Sequence, residues 1–160
     1  ISKIIMRKTH RSKKNIEPDL IYNRPECSQF INYLIVRGQK ATAENNFYKA
    51  MELIKERTKK DPIEVFDLAI KNASPLVEVK SQRVGGANYQ VPQEVKPDRQ
   101  FTLACRWIIQ SVRGRRGKPT YEKLADEIIA ASQNEGTAIK KKLDTHRIAE
   151  ANRAFAHFSW

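Results

Sequence analysis

Residues 61–98 read DPIEVFDLAIKNASPLVEVKSQRVGGANYQVPQEVKPD, and the hydrophobic period changes twice along them. The stretch opens on a helix start. Asp61 is placed as N-cap, Pro62 fits the first helical position, and Glu64 stands three residues on, where it reaches back. Phe66, Ala69, Ile70 and Ala73 then recur at helical spacing until Pro75 ends the run. From Leu76 to Val95 the period is two: Val77 and Val79 alternate with Glu78 and Lys80, and Val91 follows Tyr89 on the return. Gly85 and Gly86 supply the positive φ angles of a tight turn, and Pro92 confines the second strand to a sheet edge. Lys96-Pro97-Asp98 starts another helix. The tip of this hairpin is odd. Lys80 and Arg83 lie before the turn, Asn88 and Tyr89 follow it, and large aliphatic residues are sparse. The ribbon ends in a surface with little of its own to bury.

Outward from this segment the chain reads as helices. Phe30, Ile31, Leu34 and Ile35 form one stripe, stopped by Gly38, and Ala43, Phe47, Ala50, Met51 and Ile54 form the next. After the hairpin, Phe101, Ala104, Cys105, Ile108 and Val112 lead into the basic run Arg113-Gly114-Arg115-Arg116-Gly117-Lys118. Thr120 is placed to cap a helix with Leu124, Ile128 and Ala131 inward, closed by Gly136. Thr137 opens a last helix with Ile139, Leu143, Ile148, Ala151, Phe155 and Phe158 expected inside. The reading is a mainly α single domain of about six helices, 16–160, with a protruding two-stranded β-hairpin arm at about 76–95 and a basic N-terminal extension, 1–15.

The chain has 160 residues, with 30 Lys+Arg against 18 Asp+Glu, a formal charge of +12. A domain of this length buries roughly 68–70% of the surface its unfolded chain exposes, so no disulfide or metal is needed to hold it. The charge favours a polyanionic partner, because each cation placed on a phosphate releases a condensed counterion. Nucleic acid comes first, an anionic membrane surface second, and a merely basic soluble protein third. Arg7, Lys8, Arg11, Lys13 and Lys14, with Lys3, stand in 1–15 without an acid among them. Such a segment orders on an acidic partner or remains a solvated tail. Lys140, Lys141 and Lys142 crowd the start of the last helix, where the helix dipole disfavours cations. A partner anion relieves that cost; fanning into water also serves.

Function classes can be excluded by what is missing. No run approaches the ~18 apolar residues of a spanning helix, and the opening ISKIIM is too short and too soon charged for a signal peptide, with Met6 an alternative start. Cys27 and Cys105 stand alone, without a C-x-x-C pair, and Cys105 reads as a small core residue. No phosphate loop, G-x-S-x-G or H-E-x-x-H occurs, and His10, His146 and His157 share no metal-ligand spacing. Glu122, Asp126 and Glu127 read as a charged helix face with Lys123 at hand. His146, beside Arg147, is a polar contact to RNA or a satisfied surface histidine. No catalytic constellation, metal or cofactor is expected. A DNA-binding regulator should offer a helix-turn-helix with polar readers, and an RNA-processing enzyme convergent acids or histidines; neither pattern is present.

EVKSQRVGGANYQVP at 78–92 closely resembles the hairpin of the bacterial-type small-subunit ribosomal protein seven family, and DTHRIAEANRAFAHF at 144–158 its C-terminal motif. DPIEVFDLAIKNASPLVEVKS at 61–81 and ACRWIIQSVR at 104–113 fit the same register. The resemblance spans about Arg7 to Trp160, and embraces plastid and mitochondrial relatives. It implies a mostly helical domain with a β-ribbon that binds the 3′ major domain of small-subunit rRNA and helps to start assembly of the head. The ribbon and last helix are expected beside exit-site tRNA and departing mRNA, with neighbouring small-subunit proteins as further partners and no membrane. In some bacteria the family also represses its own mRNA. Charge and resemblance together nominate Arg7, Lys8, Arg11, Lys13, Lys14, Lys40, Lys80, Arg83, Lys96, Arg99, Arg113, Arg115, Arg116, Lys118, Lys140, Lys141 and Lys142 for rRNA. Arg83, Gly85, Gly86, His146, Arg147, Asn152 and Arg153 are nominated to lie near tRNA or mRNA. Tyr89 can stack on a base or pack on its own strand. Gln39, Gln82 and Gln100-Phe101-Thr102 are less basic than the usual pattern, which weakens individual phosphate contacts there. The resemblance also explains the bare hairpin tip: RNA supplies its other surface, and glycine permits close backbone approach.

Overall fold

The structure is a computed structural model and describes residues 16–158; the basic extension expected at 1–15 lies outside them. Six α-helices run α1 (Pro25–Leu34), α2 (Lys40–Thr58), α3 (Pro62–Ala73), α4 (Pro97–Gly114), α5 (Thr120–Ser132) and α6 (Thr137–Ala151). A hairpin of β1 (Val77–Val84) and β2 (Ala87–Glu94) divides α3 from α4, and a 3-10 turn, Arg153–Phe158, closes the described chain. The expected helix starts are present. Asp61 Oδ1 accepts the Ile63 amide, and Pro62 and Pro97 occupy first turns. Glu64 makes no return bond, so this cap is one-sided among the described residues.

The core forms where the stripes of α1 to α5 meet the first turn of α6, with Ala138 and Ile139. Phe30, Phe47 and Phe66, one each from α1, α2 and α3, bring their rings together with centroids 5.2 to 5.8 Å apart, two of the three pairs edge to face. Such pairs add about 0.5–1.5 kcal/mol each beyond area burial. Ile108, Val112, Leu124 and Ile128 complete the interior from α4 and α5. Cys27 and Cys105 are buried core thiols, and burial pushes the Cys27 thiol up to about 12, so neither is a nucleophile. Asp19, nearly buried, is fixed by the Ile21 and Tyr22 amides and by the Tyr48 hydroxyl at 2.6 Å.

The ribbon pairs antiparallel from Val77 opposite Glu94 to Val84 opposite Ala87, with Gly85 and Gly86 at φ 58° and 90° in the turn. Its buried residues are Glu78 and Val91; the valines 77 and 79 are only half-buried. The root is tied to the body at several points. Arg99 of α4 donates through Nε to both oxygens of Glu78 at 2.7 and 2.9 Å. Leu76 donates its amide to His146 Nε2 of α6 at 3.1 Å and accepts from the Val95 amide. Farther out, Tyr89 meets Phe155 and Phe158 with centroids at 5.0 and 5.3 Å. Packing on its own protein is therefore where Tyr89 sits.

Two expectations are corrected. Thr120 is not a cap: Pro119 holds the N-cap position and Thr120 is the first helical residue. The long inward stripe of the last helix also fails. α6 buries Ala138, Ile139 and Ala149, whereas Leu143, Ile148 and Ala151 are exposed, and Phe155 and Phe158 lie half-buried in the 3-10 turn. The inner face of α6 instead carries Lys142 and His146, which serve backbone groups of Asn72 and Leu76. A face that caps loops and ribbon roots needs donors and acceptors rather than aliphatic bulk.

Candidate nucleic-acid interface

The nominated cations divide by what they already hold. In the last turn of α4, Arg113 Nη2 donates to the carbonyls of Tyr33 and Leu34 at the C-terminal end of α1, at 3.5 and 3.4 Å, where the helix dipole favours a cation. Arg115 Nη2 pairs with Glu127 Oε2, and Lys118 Nζ pairs with Asp126 at 3.1 Å. Burial alone would raise the Asp126 carboxyl, yet hydrogen bonds from Lys118 and Arg57 hold it below its ordinary range. Arg116, between these anchors, is exposed and has no internal partner among the described residues. The loop is thus a fixed rim of guanidinium groups with one free fork, suited to a phosphate's paired oxygens.

The α6 trio is likewise divided. Lys140 is exposed, Lys141 Nζ donates to Gln110 Oε1 at 2.6 Å, and Lys142 Nζ donates to the Asn72 carbonyl at 2.6 Å. Burial lowers the pKa of Lys142. At the ribbon root, Lys80 stands 3.7 Å from Glu78, which Arg99 holds below the usual carboxylate range. Lys40 pairs loosely with Glu44 at 3.7 Å, and Lys96 is exposed at the start of α4.

Arg83, Gly85 and Gly86 form the exposed ribbon tip. The Tyr89 contacts bring that ribbon beside the C-terminal turn, so Arg83 and Arg153 belong to neighbouring elements. Arg153 is 3.4 Å from Glu150, Arg147 is 3.4 Å from Asp144, and both are largely exposed. Asn152 Nδ2 bonds the Ile148 carbonyl at 2.8 Å and closes α6. His146 Nε2 accepts from Leu76, which requires the neutral ring; burial, then Lys142, lowers its pKa. Arg7, Lys8, Arg11, Lys13 and Lys14 lie outside the described residues.

Sequence reasoning missed Glu127. The sequence reads it as part of a charged face, but it is fully buried. Its Oε1 accepts the Ala138 amide at 2.9 Å and the Thr137 hydroxyl at 3.1 Å, at the N-terminus of α6. The signal was available: Leu124, Glu127, Ile128 and Ala131 follow the spacing of the apolar stripe. Among the described residues no three His, Cys, Asp or Glu side chains converge for a metal, and no helix is long and apolar enough to cross a membrane.

Cations held in place on the rim of a helical scaffold, with a ribbon that extends from it, are the make-up of a polyanion-binding structural domain. The comparisons with known proteins narrow this class. Residues 6–153 match the family described as ribosomal protein S7p/S5e, and the chain belongs to that family. It is 52% identical over 155 residues to small ribosomal subunit protein uS7 of Thermotoga petrophila, covering 97% of this chain and 100% of the relative. The same-named proteins of Natranaerobius thermophilus and Limosilactobacillus fermentum are 51% and 53% identical, each over 96% of this chain and 99% of its own length. The chain is a structural ribosomal protein of the small-subunit family, not an enzyme.

Proposed function

We propose that the chain binds the 3′ major domain of small-subunit rRNA and nucleates assembly of the subunit head, with its ribbon and C-terminal turn beside exit-site tRNA and departing mRNA. The observation that carries the reading is the pinned rim. Arg113, Arg115 and Lys118 are fixed by internal partners, Arg116 stands exposed among them, and Lys140 is exposed in the first turn of α6. A preorganised cation loses less freedom when it meets a phosphate. The basic residues of 1–15, with Lys40, Lys80, Lys96 and Arg99, extend the rRNA surface; Arg83, Gly85, Gly86, His146, Arg147, Asn152 and Arg153 form the tRNA and mRNA side. Neighbouring small-subunit proteins are further partners, and bacterial relatives support a place on ribosomes of the bacterial cytoplasm. Repression of its own message would use the same rRNA-binding rim.

The test is binding of the full chain to isolated 3′ major domain RNA against an equal length of another rRNA domain. The expected result is tighter binding to the 3′ major domain, weakened when Arg116 and Lys140 are both replaced by Gln. Equal affinity for the two RNAs would overturn the assignment.

A further inference from the structure

Glu127 is the one acid with no exposure at all among the buried polar residues described. Burying a carboxylate costs free energy unless its partners are well placed, and an apolar residue at this stripe position would pack beside Leu124, Ile128 and Ala131 without that cost. Its two oxygens face different elements. Oε2 takes Arg115, the first residue after α4; Oε1 takes Thr137 and the Ala138 amide, the first turn of α6. The surroundings are built around this arrangement. Gly136 has φ 94°, and a Cβ there would lie 3.2 Å from Glu127 Oε1. The Thr137 hydroxyl also meets that of Ser111, and Lys123 Nζ donates to the Arg115 carbonyl at 3.0 Å. The carboxylate also sits at the positive end of α6, where it offsets the unfavourable placement of Lys140, Lys141 and Lys142.

We propose that Glu127 is a positioning residue for phosphate recognition: one buried carboxylate fixes the basic segment that begins at Arg115 and the lysine-bearing start of α6 relative to each other, so that Arg116 and Lys140 engage one RNA backbone as a unit. The proposal rests on the rRNA-binding reading above. Glu127 touches no RNA itself; it acts through the placement of cations on two elements.

The experiment measures affinity of the full chain for 3′ major domain RNA as a function of salt, for wild type, Arg116→Gln, Glu127→Gln and Thr137→Val, with the folded fraction of each fixed by circular dichroism. Arg116→Gln removes one contact, and its slope of log K against log salt should shrink by about 0.7–0.9. Glu127→Gln removes no cation, yet its slope should shrink by more than that of Arg116→Gln, with an affinity loss of about tenfold or more. A Glu127→Gln protein that melts lower but keeps wild-type affinity and slope when folded would reduce the residue to a stabilising role and overturn the proposal. Should Glu127→Gln fail to fold, Thr137→Val decides. It leaves every charge in place and removes one donor to Glu127 together with the Ser111 contact, and unchanged affinity and slope in it would equally overturn the proposal. Failure of the wild type to bind this RNA would remove the rRNA reading itself, and the positioning role with it.

Discussion

Protonation of His146 removes an acceptor on which the ribbon root depends. The Leu76 amide donates to Nε2 at 3.1 Å, and an imidazolium cannot accept. Burial, then the nearby Lys142 ammonium, lowers the pKa of the ring below its ordinary 6.5. A histidine with a lowered folded-state pKa contributes stability that is complete above the unfolded value and is lost as pH falls through the folded one. Exchange protection of the Leu76 amide, corrected for its intrinsic rate, should therefore drop on acidification through the range below the ordinary histidine value. In His146→Gln, which keeps an acceptor, that dependence should vanish; an identical pH profile in the variant would dissociate the effect from this ring. The aromatic residues divide in the same local way. Phe66 is 1% exposed between two other rings, so Phe66→Ala should cost roughly 3–5 kcal/mol in denaturant unfolding. Phe155, half-buried in the 3-10 turn, should cost clearly less. The sequence treats both as stripe residues, because spacing reports a face and not what covers it. The partners of Asp19 and Glu127 are illegible for the same reason: stripe spacing can mark an acid's face as inward, but its donors, 2 to 29 residues away for Asp19 and up to 12 for Glu127, are brought to it only by the fold.

At the scale of elements the chain is far more legible. Proline and glycine punctuate it, the period switches between 3.6 and 2 at Pro75, and every α-helix read from the stripes is present. The last helix is the exception. A continuous stripe to Phe158 was expected, but α6 ends at Ala151, where Asn152 bonds back to Ile148, and the turn beyond it faces the ribbon. Nothing local to residues 152–158 announces that Tyr89, more than sixty positions earlier, supplies the packing surface. The ribbon thus has two parts with different dependences. Its tip has exposed residues around Gly85 and Gly86, and replacing 82–88 by a short turn should leave the melting temperature of the helical body nearly unchanged and still permit assembly into subunits. On the proposed placement beside tRNA, such subunits should release deacylated tRNA faster or miscode more; equal off-rates and equal frame errors would restrict the ribbon to rRNA docking. Tyr89→Ala should act differently. It leaves the strands paired but removes the contact with Phe155 and Phe158, so protease cleavage after residues 153–158 should accelerate while the ribbon itself persists. Unchanged cleavage would mean that the turn is held by something other than these rings.

The whole molecule carries +12, and half of that excess lies in residues 1–15, where Lys and Arg stand without an acid. Net charge in the sequence points to a polyanion; it does not say which cations are available. The folded body answers part of that question, since Arg99, Arg115, Lys118 and Lys142 already serve Glu78, Glu127, Asp126 and the Asn72 carbonyl. A cation with an internal partner can still approach a phosphate, but it brings less unneutralised charge to it. The electrostatic part of rRNA binding should therefore be shared between the rim and the N-terminal residues rather than follow the count of basic residues. Removal of 1–15 tests the division. The full chain should lose affinity steeply between about 50 and 200 mM salt, with a slope near −0.7 to −0.9 for each phosphate it neutralises. The shortened chain should show a shallower slope, reduced by the number of those phosphates that the six removed charges engaged, and an unchanged melting temperature, because the segment has few large apolar residues after Met6 to bury. Equal slopes would place the whole electrostatic contact on the folded rim, and a melting temperature lowered by many degrees would make residues 1–15 a packed part of the domain.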